Sequence, residues 1–212
     1  PQALPLESGG SIQIRGSIDR VDVYDFNGEK YVRVIDYKSG VKKFKLSDIL
    51  DGLNLQMFVY LFALCDDKNA ALNGVPAGVL YMHAARNILN FNSPIDNAIA
   101  KAMEHELEGK YIPVSASTKG VKGDLITLEQ LGLLHKKINS LVKKMGNELQ
   151  NGVIERAPIK NSTHLNTCDY CDYSDICANT KAIYNKIGAN LKDEQVIESL
   201  HKEFENDAGM DN

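Results

Sequence analysis

The stretch GSIDRVDVYDFNGEKYVRVIDYKSG, residues 16–40, decides the fold. Two runs rich in Ile, Val and Tyr flank Asn27-Gly28, a pair that accepts the positive φ angles of a two-residue hairpin turn. The pattern predicts a β-hairpin over residues 11–40, with one arm from Ser11 to Asp25 and the other from Lys30 to Lys38. With Asn27 and Gly28 as the loop, Phe26 faces Glu29, Val23 faces Val32 and Val21 faces Val34. Two residues further on, Asp19 faces Asp36. Side chains alternate along a strand, so these pairs share one face. Ser17 and Lys38 extend the row. From the turn outward it reads valines, then two aspartates, then a lysine.

Directly opposed side chains have Cβ atoms roughly 4.5–5.5 Å apart. Two ionised carboxylates that close repel, and a valine surface screens them poorly. A divalent cation relieves the repulsion. Mg²⁺ takes oxygen ligands and is commonly held by one or two carboxylates, with waters and phosphate oxygens completing its shell. Lys38, two residues beyond Asp36, points the same way and could meet a phosphate. From the residues alone a second reading stands beside this one: two solvated aspartates at a strand end with Lys38 as their ion-pair partner. A bulge would also shift the register and separate the pair.

Outward from the hairpin, VKKFKL (41–46) is a basic loop, with Lys42, Lys43 and Lys45 candidates for DNA phosphates or for plain solvation. Ser47 to about Cys65 predicts a helix, weakened at Gly52. A turn at Asn73–Pro76 precedes a strand starting at Ala77 and running toward Phe91, then a helix over Asp96–Glu108 and a loop over 109–124. Thr127 and Gln130 make a capping box. The helix after it is expected to bury Leu131, Leu134, Ile138, Leu141, Met145 and Leu149, with Lys136, Lys137, Lys143 and Lys144 on its solvent face. Residues 152–166 read as extended, and a short helix from about Asp193 to Phe204 precedes a polar tail. Residues 1–10 read as a trimmed or flexible start.

The bulk numbers limit the function classes. The chain has 212 residues, 43% hydrophobic and 25% charged, which suits a globular fold. The net charge of −4 argues against a nucleic-acid coat protein but not against an enzyme whose metal-binding carboxylates are themselves negative. No stretch reads as a signal peptide or as a membrane span, and no GxxxxGK[ST] marks an ATP site. The expected localisation is cytoplasmic. Three of the four cysteines, Cys168, Cys171 and Cys177, fall in a C-x2-C-x5-C cluster. Thiolates at this density bind Zn²⁺ or an iron–sulfur cluster, and reduced loop thiols are the plain alternative.

GSIDRVD, VIDYKSG and GLNLQMFVY together resemble the PD-(D/E)XK nuclease superfamily, and most closely the C-terminal nuclease domain of AddB, one of the two chains of the AddAB helicase–nuclease of the RecBCD type. PAGVLYMH, the long helix before RAPIK, and CDYCDYSDIC follow in the matching order, so the resemblance covers most of residues 11–190. It implies an α/β, restriction-endonuclease-like core with a mixed central sheet flanked by helices. It implies Asp19, Asp36 and the backbone carbonyl of Tyr37 as ligands of Mg²⁺ or Mn²⁺, Lys38 as the catalytic lysine, and Gln56 and Tyr60 as a Q-x3-Y pair beside the site. Without the resemblance, Gln56 and Tyr60 are simply i and i+4 on one helix face. The activity implied is 5′→3′ exonuclease action on a DNA strand fed from an unwound end, during double-strand-break processing for recombinational repair, with the AddA helicase–nuclease as partner. A non-catalytic DNA-end-binding module with the same fold is the alternative from another class. A stand-alone nuclease like Cas4 is a third.

The resemblance also implies that Cys168, Cys171 and Cys177 hold a [4Fe–4S] cluster with a fourth cysteine far upstream. No cysteine precedes Asp19. Either the chain is a piece cut downstream of that residue or it holds no cluster, and no intact cluster is expected in the chain as given. Cys65 is a candidate substitute for the fourth ligand, and His164 a candidate to complete a Cys3His zinc site with the three, although Cys65 reads more simply as a small buried side chain at the end of an apolar helix. His83 reads as a strand histidine. The expected organisation is a nuclease core over 1–165, a cysteine-rich segment over 166–190, and a C-terminal helix and tail over 191–212.

Overall fold

The computed structural model describes residues 3–7, 9–39, 45–66, 71–83, 126–155, 158–160, 168, 171–177, 186–187 and 190–208. The expected helix over 96–108 and the loop over 109–124 lie outside the described residues, as do Lys42, Lys43 and His164. By compactness the chain forms two units. One comprises Pro1–Ala3, Gln13–Phe44 and Gln56–His135. The other comprises Leu4–Ile12, Lys45–Leu55 and Lys136–Asn212.

The first unit is built on the hairpin. Strands β3 (Arg20–Phe26) and β4 (Glu29–Lys38) pair antiparallel with Val23 opposite Val32, Val21 opposite Val34 and Phe26 opposite Glu29. The turn has φ of 52° at Asn27 and 82° at Gly28, the two positive values that match the twist of a hairpin. The first arm is shorter than expected. Ser11–Gln13 forms a separate strand, β2, which pairs with β1 (Ala3–Pro5).

From β4 the chain reaches α2 (Gln56–Asp66) and then β5 (Val75–His83), which lies parallel to β4. Parallel strands need such a crossover. The sheet order is β3-β4-β5, mixed as expected. Helix α2 packs on β4 and β5 through Met57, Phe58, Leu61 and Phe62, all buried, against a sheet centre where Val32, Val34 and Ile35 are fully enclosed. The i, i+1, i+4, i+5 spacing of those four residues gives the apolar stripe that requires a helix here.

The predicted single helix over Ser47–Cys65 is two helices, α1 (Ser47–Leu50) and α2. Gly52 at φ 76° and Asn54 at φ 55° are left-handed, so the helical ladder cannot run through them. Asn54 Nδ2 also donates to Asp48 Oδ2 at 2.7 Å, which ties the break to α1.

Helix α3 spans Leu128–Gln150. Its capping box is closed from both sides. Thr127 N donates to Gln130 Oε1 at 2.8 Å, and Gln130 N donates to Thr127 Oγ1 at 3.1 Å. Thr127→Ala removes one of those bonds and is expected to cost about 1 kcal/mol, read as a fall of a few degrees in Tm. Leu131, Leu134, Ile138 and Val142 are buried. Met145 and Leu149 are exposed, contrary to the expected buried row: they continue the same face as Val142 but lie beyond the length over which that face is covered.

In the second unit α1 packs on α5 (Asp193–Ala208), whose Val196, Ile197 and Leu200 are buried. Lys137 Nζ meets both carboxylate oxygens of Glu203 at 2.7 and 2.9 Å. Lys137 is thus a bridge between α3 and α5 and not part of the expected solvent face. Residues 159–160 and 186–187 form a short parallel pair, β6 and β7, and Ser174–Cys177 is one turn of helix, α4. Among the described residues no helix is long and apolar enough to cross a membrane.

Candidate active site

The antiparallel ladder ends at Arg20–Ile35, so Asp19 lies just past the last paired residue. Freed from the ladder, its carboxylate turns onto the neighbouring strand and accepts the backbone N–H of Tyr37 at 3.0 Å. Asp36 lies inside β4, only 8% exposed. Its Oδ2 is sealed from solvent with no hydrogen-bond partner among the described residues. The Lys38 ammonium stands 2.6 Å from that oxygen, as an ion pair outside hydrogen-bond alignment. Asp19, Asp36 and Lys38 thus gather around the Asp36–Tyr37 peptide and the end of β4.

Parallel pairing sets β5 beside this row, with Tyr81 in register with Asp36 and His83 with Lys38. Tyr81 is 7% exposed. Burial, with the Asp36 charge adding to it, pushes its phenol up to about 12, so the hydroxyl stays protonated throughout the physiological range. Lys38 Nζ lies 5.9 Å from the centre of the Tyr81 ring.

The Tyr37 side chain projects to the opposite face. There Arg20 Nε and Arg33 NH2 each meet Asp22 at 2.7 Å, and Arg20 NH1 donates to the Tyr37 hydroxyl at 3.4 Å. Burial pulls the Asp22 pKa upward, but the two guanidiniums outweigh it and hold the carboxyl below its ordinary value. These four side chains brace the residue whose N–H holds Asp19.

Gln56 and Tyr60 lie one turn apart at the start of α2, with Gln56 Nε2 donating to Tyr60 Oη at 3.1 Å. The Tyr60 phenol rests against Gly16, three residues before Asp19. A Cβ at Gly16 would collide with the Tyr60 hydroxyl and come within 2.7 Å of Cε1. The first glycine of GSIDRVD is therefore a point of close approach, a meaning the sequence could not supply without the fold. Gly16→Ala is expected to push the Tyr60 ring aside and break its bond to Gln56. The cost is about 1–3 kcal/mol, checked by thermal denaturation.

Lys45, read as a possible phosphate contact, donates to Asn190 Oδ1 at 3.3 Å. Cys65 is half-buried, and burial followed by the Asp66 charge pushes its thiol up to about 12, which suits a neutral side chain and not a thiolate ligand. Cys168, Cys171 and Cys177 form no disulfide among the described residues; Cys171 N donates to Cys168 O, and Cys177 N donates to Tyr173 O. Among the described residues no three His, Cys, Asp or Glu side chains are gathered closely enough to hold a metal, this trio included.

The donor set at Asp19 and Asp36 does fit a hard divalent cation. It consists of oxygen ligands, and one of them is a buried carboxylate oxygen without a hydrogen bond, which a cation would satisfy. A cation held there, with a lysine beside it, is compatible with metal-assisted hydrolysis.

The sequence pattern of the PD-(D/E)XK nuclease superfamily matches residues 2–178, and the chain belongs to that superfamily. It is also similar to bacterial proteins named as the B component of an ATP-dependent helicase/deoxyribonuclease. It is 32% identical to the one from Clostridium perfringens (strain ATCC 13124) over 232 residues, covering 94% of this chain and 20% of that protein. The Ruminiclostridium cellulolyticum protein is 32% identical over 206 residues, 84% of this chain and 18% of its own length. The Thermoanaerobacter sp. (strain X514) protein is 30% identical over 237 residues, 98% and 20%. The chain spans about one fifth of the length of these relatives and resembles their C-terminal nuclease region.

Proposed function

We propose that this chain is a divalent-metal-dependent deoxyribonuclease that trims a single DNA strand from its 5′ end within a helicase–nuclease assembly. The observation that carries this reading is the buried Asp36 carboxylate, its Oδ2 paired with Lys38 at 2.6 Å and set next to the peptide that holds Asp19. Asp19, Asp36 and the Tyr37 carbonyl would hold Mg²⁺ or Mn²⁺. When bound, the cation polarises a phosphoryl oxygen and acidifies a water.

The chain's own residues do the rest. Tyr37 N–H orients Asp19. Lys38 offers a positive charge where the scissile phosphate must come, or holds the attacking water. Gln56 and Tyr60 fix the start of α2 against Gly16. The partner is a helicase–nuclease chain that feeds the strand, and the setting is the processing of broken DNA ends for recombination. The relatives' name, helicase/deoxyribonuclease, supports the helicase partner; the setting is what the resemblance to the AddB nuclease domain implies. In a longer chain, Cys168, Cys171 and Cys177 would join a fourth thiolate to hold a [4Fe–4S] cluster.

The test is digestion of single-stranded DNA labelled at either end, with Mg²⁺ or Mn²⁺ and an EDTA control. Stepwise release of the 5′ label is expected. Binding without cleavage would favour a DNA-end-binding module, and release of the 3′ label alone would reverse the proposed polarity.

A further inference from the structure

We propose that Tyr81 is a positioning residue for Lys38, its ring face fixing where the ammonium stands once the Asp36 carboxylate is engaged by a cation. The proposal rests on the nuclease reading above and deepens it.

Two demands fall on one atom. Asp36 Oδ2 is the ion-pair partner of Lys38, at 2.6 Å, and it is also the buried oxygen left without a hydrogen bond. A divalent cation that takes this oxygen removes the lysine's partner and repels the ammonium. Lys38 is on a flexible four-carbon stem and about one third exposed, so without a second hold it would swing into solvent.

The Tyr81 ring supplies that hold. Its ring centre lies 5.9 Å from Nζ, inside the roughly 6 Å range over which a ring face attracts a cation. Parallel register sets Tyr81 beside Asp36, so the ring is fixed to the same row as the carboxylate. The ring is buried, which strengthens the attraction.

The experiment compares Tyr81→Phe, which keeps the ring face, with Tyr81→Leu, which keeps apolar volume and loses it. Tyr81→Met repeats the Leu test should Leu fail to fold. Cleavage of single-stranded DNA is measured under saturating Mg²⁺. The proton shifts of the Lys38 Cε methylene are followed in protein with selectively labelled lysine, metal-free and with Ca²⁺. Tyr81→Phe is expected to keep kcat within about twofold and to keep the ring-current shift in both states. Tyr81→Leu is expected to lower kcat by roughly threefold to thirtyfold at unchanged KM and to abolish the shift. In a Lys38→Ala background Tyr81→Leu should add no further loss. A Phe variant as slow as Leu, a Leu variant at wild-type kcat, or a Leu loss persisting without Lys38 would each overturn the proposal. If the wild type cuts no DNA, the nuclease reading fails, while the methylene shift with Ca²⁺ still decides where the lysine rests.

Discussion

Lys38→Ala is expected to lower metal-dependent cleavage of single-stranded DNA by about 10²- to 10⁴-fold, the range for losing a charge or proton carrier at a reacting centre. Lys38 is the last residue of β4, and its ammonium stands 2.6 Å from Asp36 Oδ2. Removing it takes away positive charge where a phosphate must approach, but it leaves every oxygen of the proposed metal site in place. Mn²⁺ affinity, measured by calorimetry, should therefore hold or rise, because the cation no longer competes with an ammonium for Asp36. The side chain is about one third exposed, so the lost ion pair should change stability by less than about 1 kcal/mol. Cleavage within a few-fold of wild type would show that Lys38 is an ordinary ion-pair partner.

Asp36→Ala should have the larger effect, about 10³-fold or more. A bound cation supplies several kcal/mol of transition-state stabilisation, at about 1.4 kcal/mol per factor of ten. Here Mn²⁺ affinity should fall as well, which separates the two variants. Stability in EDTA is expected to hold or rise. In the metal-free protein the Asp36 carboxylate is buried, and the Lys38 ammonium 2.6 Å from Oδ2 offsets its desolvation only in part. The partly exposed ion pair with Lys38 returns less than about 1 kcal/mol of that. A fall in Tm of more than about 5 °C in EDTA would mean that Asp36 serves the fold rather than the metal.

The register of the hairpin was legible because two residues, Asn27 and Gly28, admit one kind of turn, and a turn fixes all facing pairs behind it. The capping box at Thr127 and Gln130 was legible because its bonds span three residues. The break between α1 and α2 was only half legible. Gly52 signalled weakness, but the left-handed Asn54 that completes the break is held by a bond back to Asp48. The exposure of Met145 and Leu149 was not legible, because periodicity gives a helix two faces and does not say how far along its length a partner covers one of them.

The sequence by itself predicted the class of chemistry proposed here and the row proposed to carry it. The local turn sets the hairpin register as far as Arg20–Ile35, and strand alternation puts Asp36 and Lys38 on one face of β4. Tertiary structure alone decided how that row is used. Asp19 turns onto the Tyr37 N–H because the ladder ends one residue before it. Asp36 is enclosed, and one oxygen left unbonded, in a sheet that α2 and β5 complete. Tyr81 reaches Lys38 through a parallel pairing across more than forty residues of chain, and Gly16 must be small because Tyr60 of α2 lies on it. Contacts of such sequence separation exist only once the chain has closed on itself, so no local pattern records them.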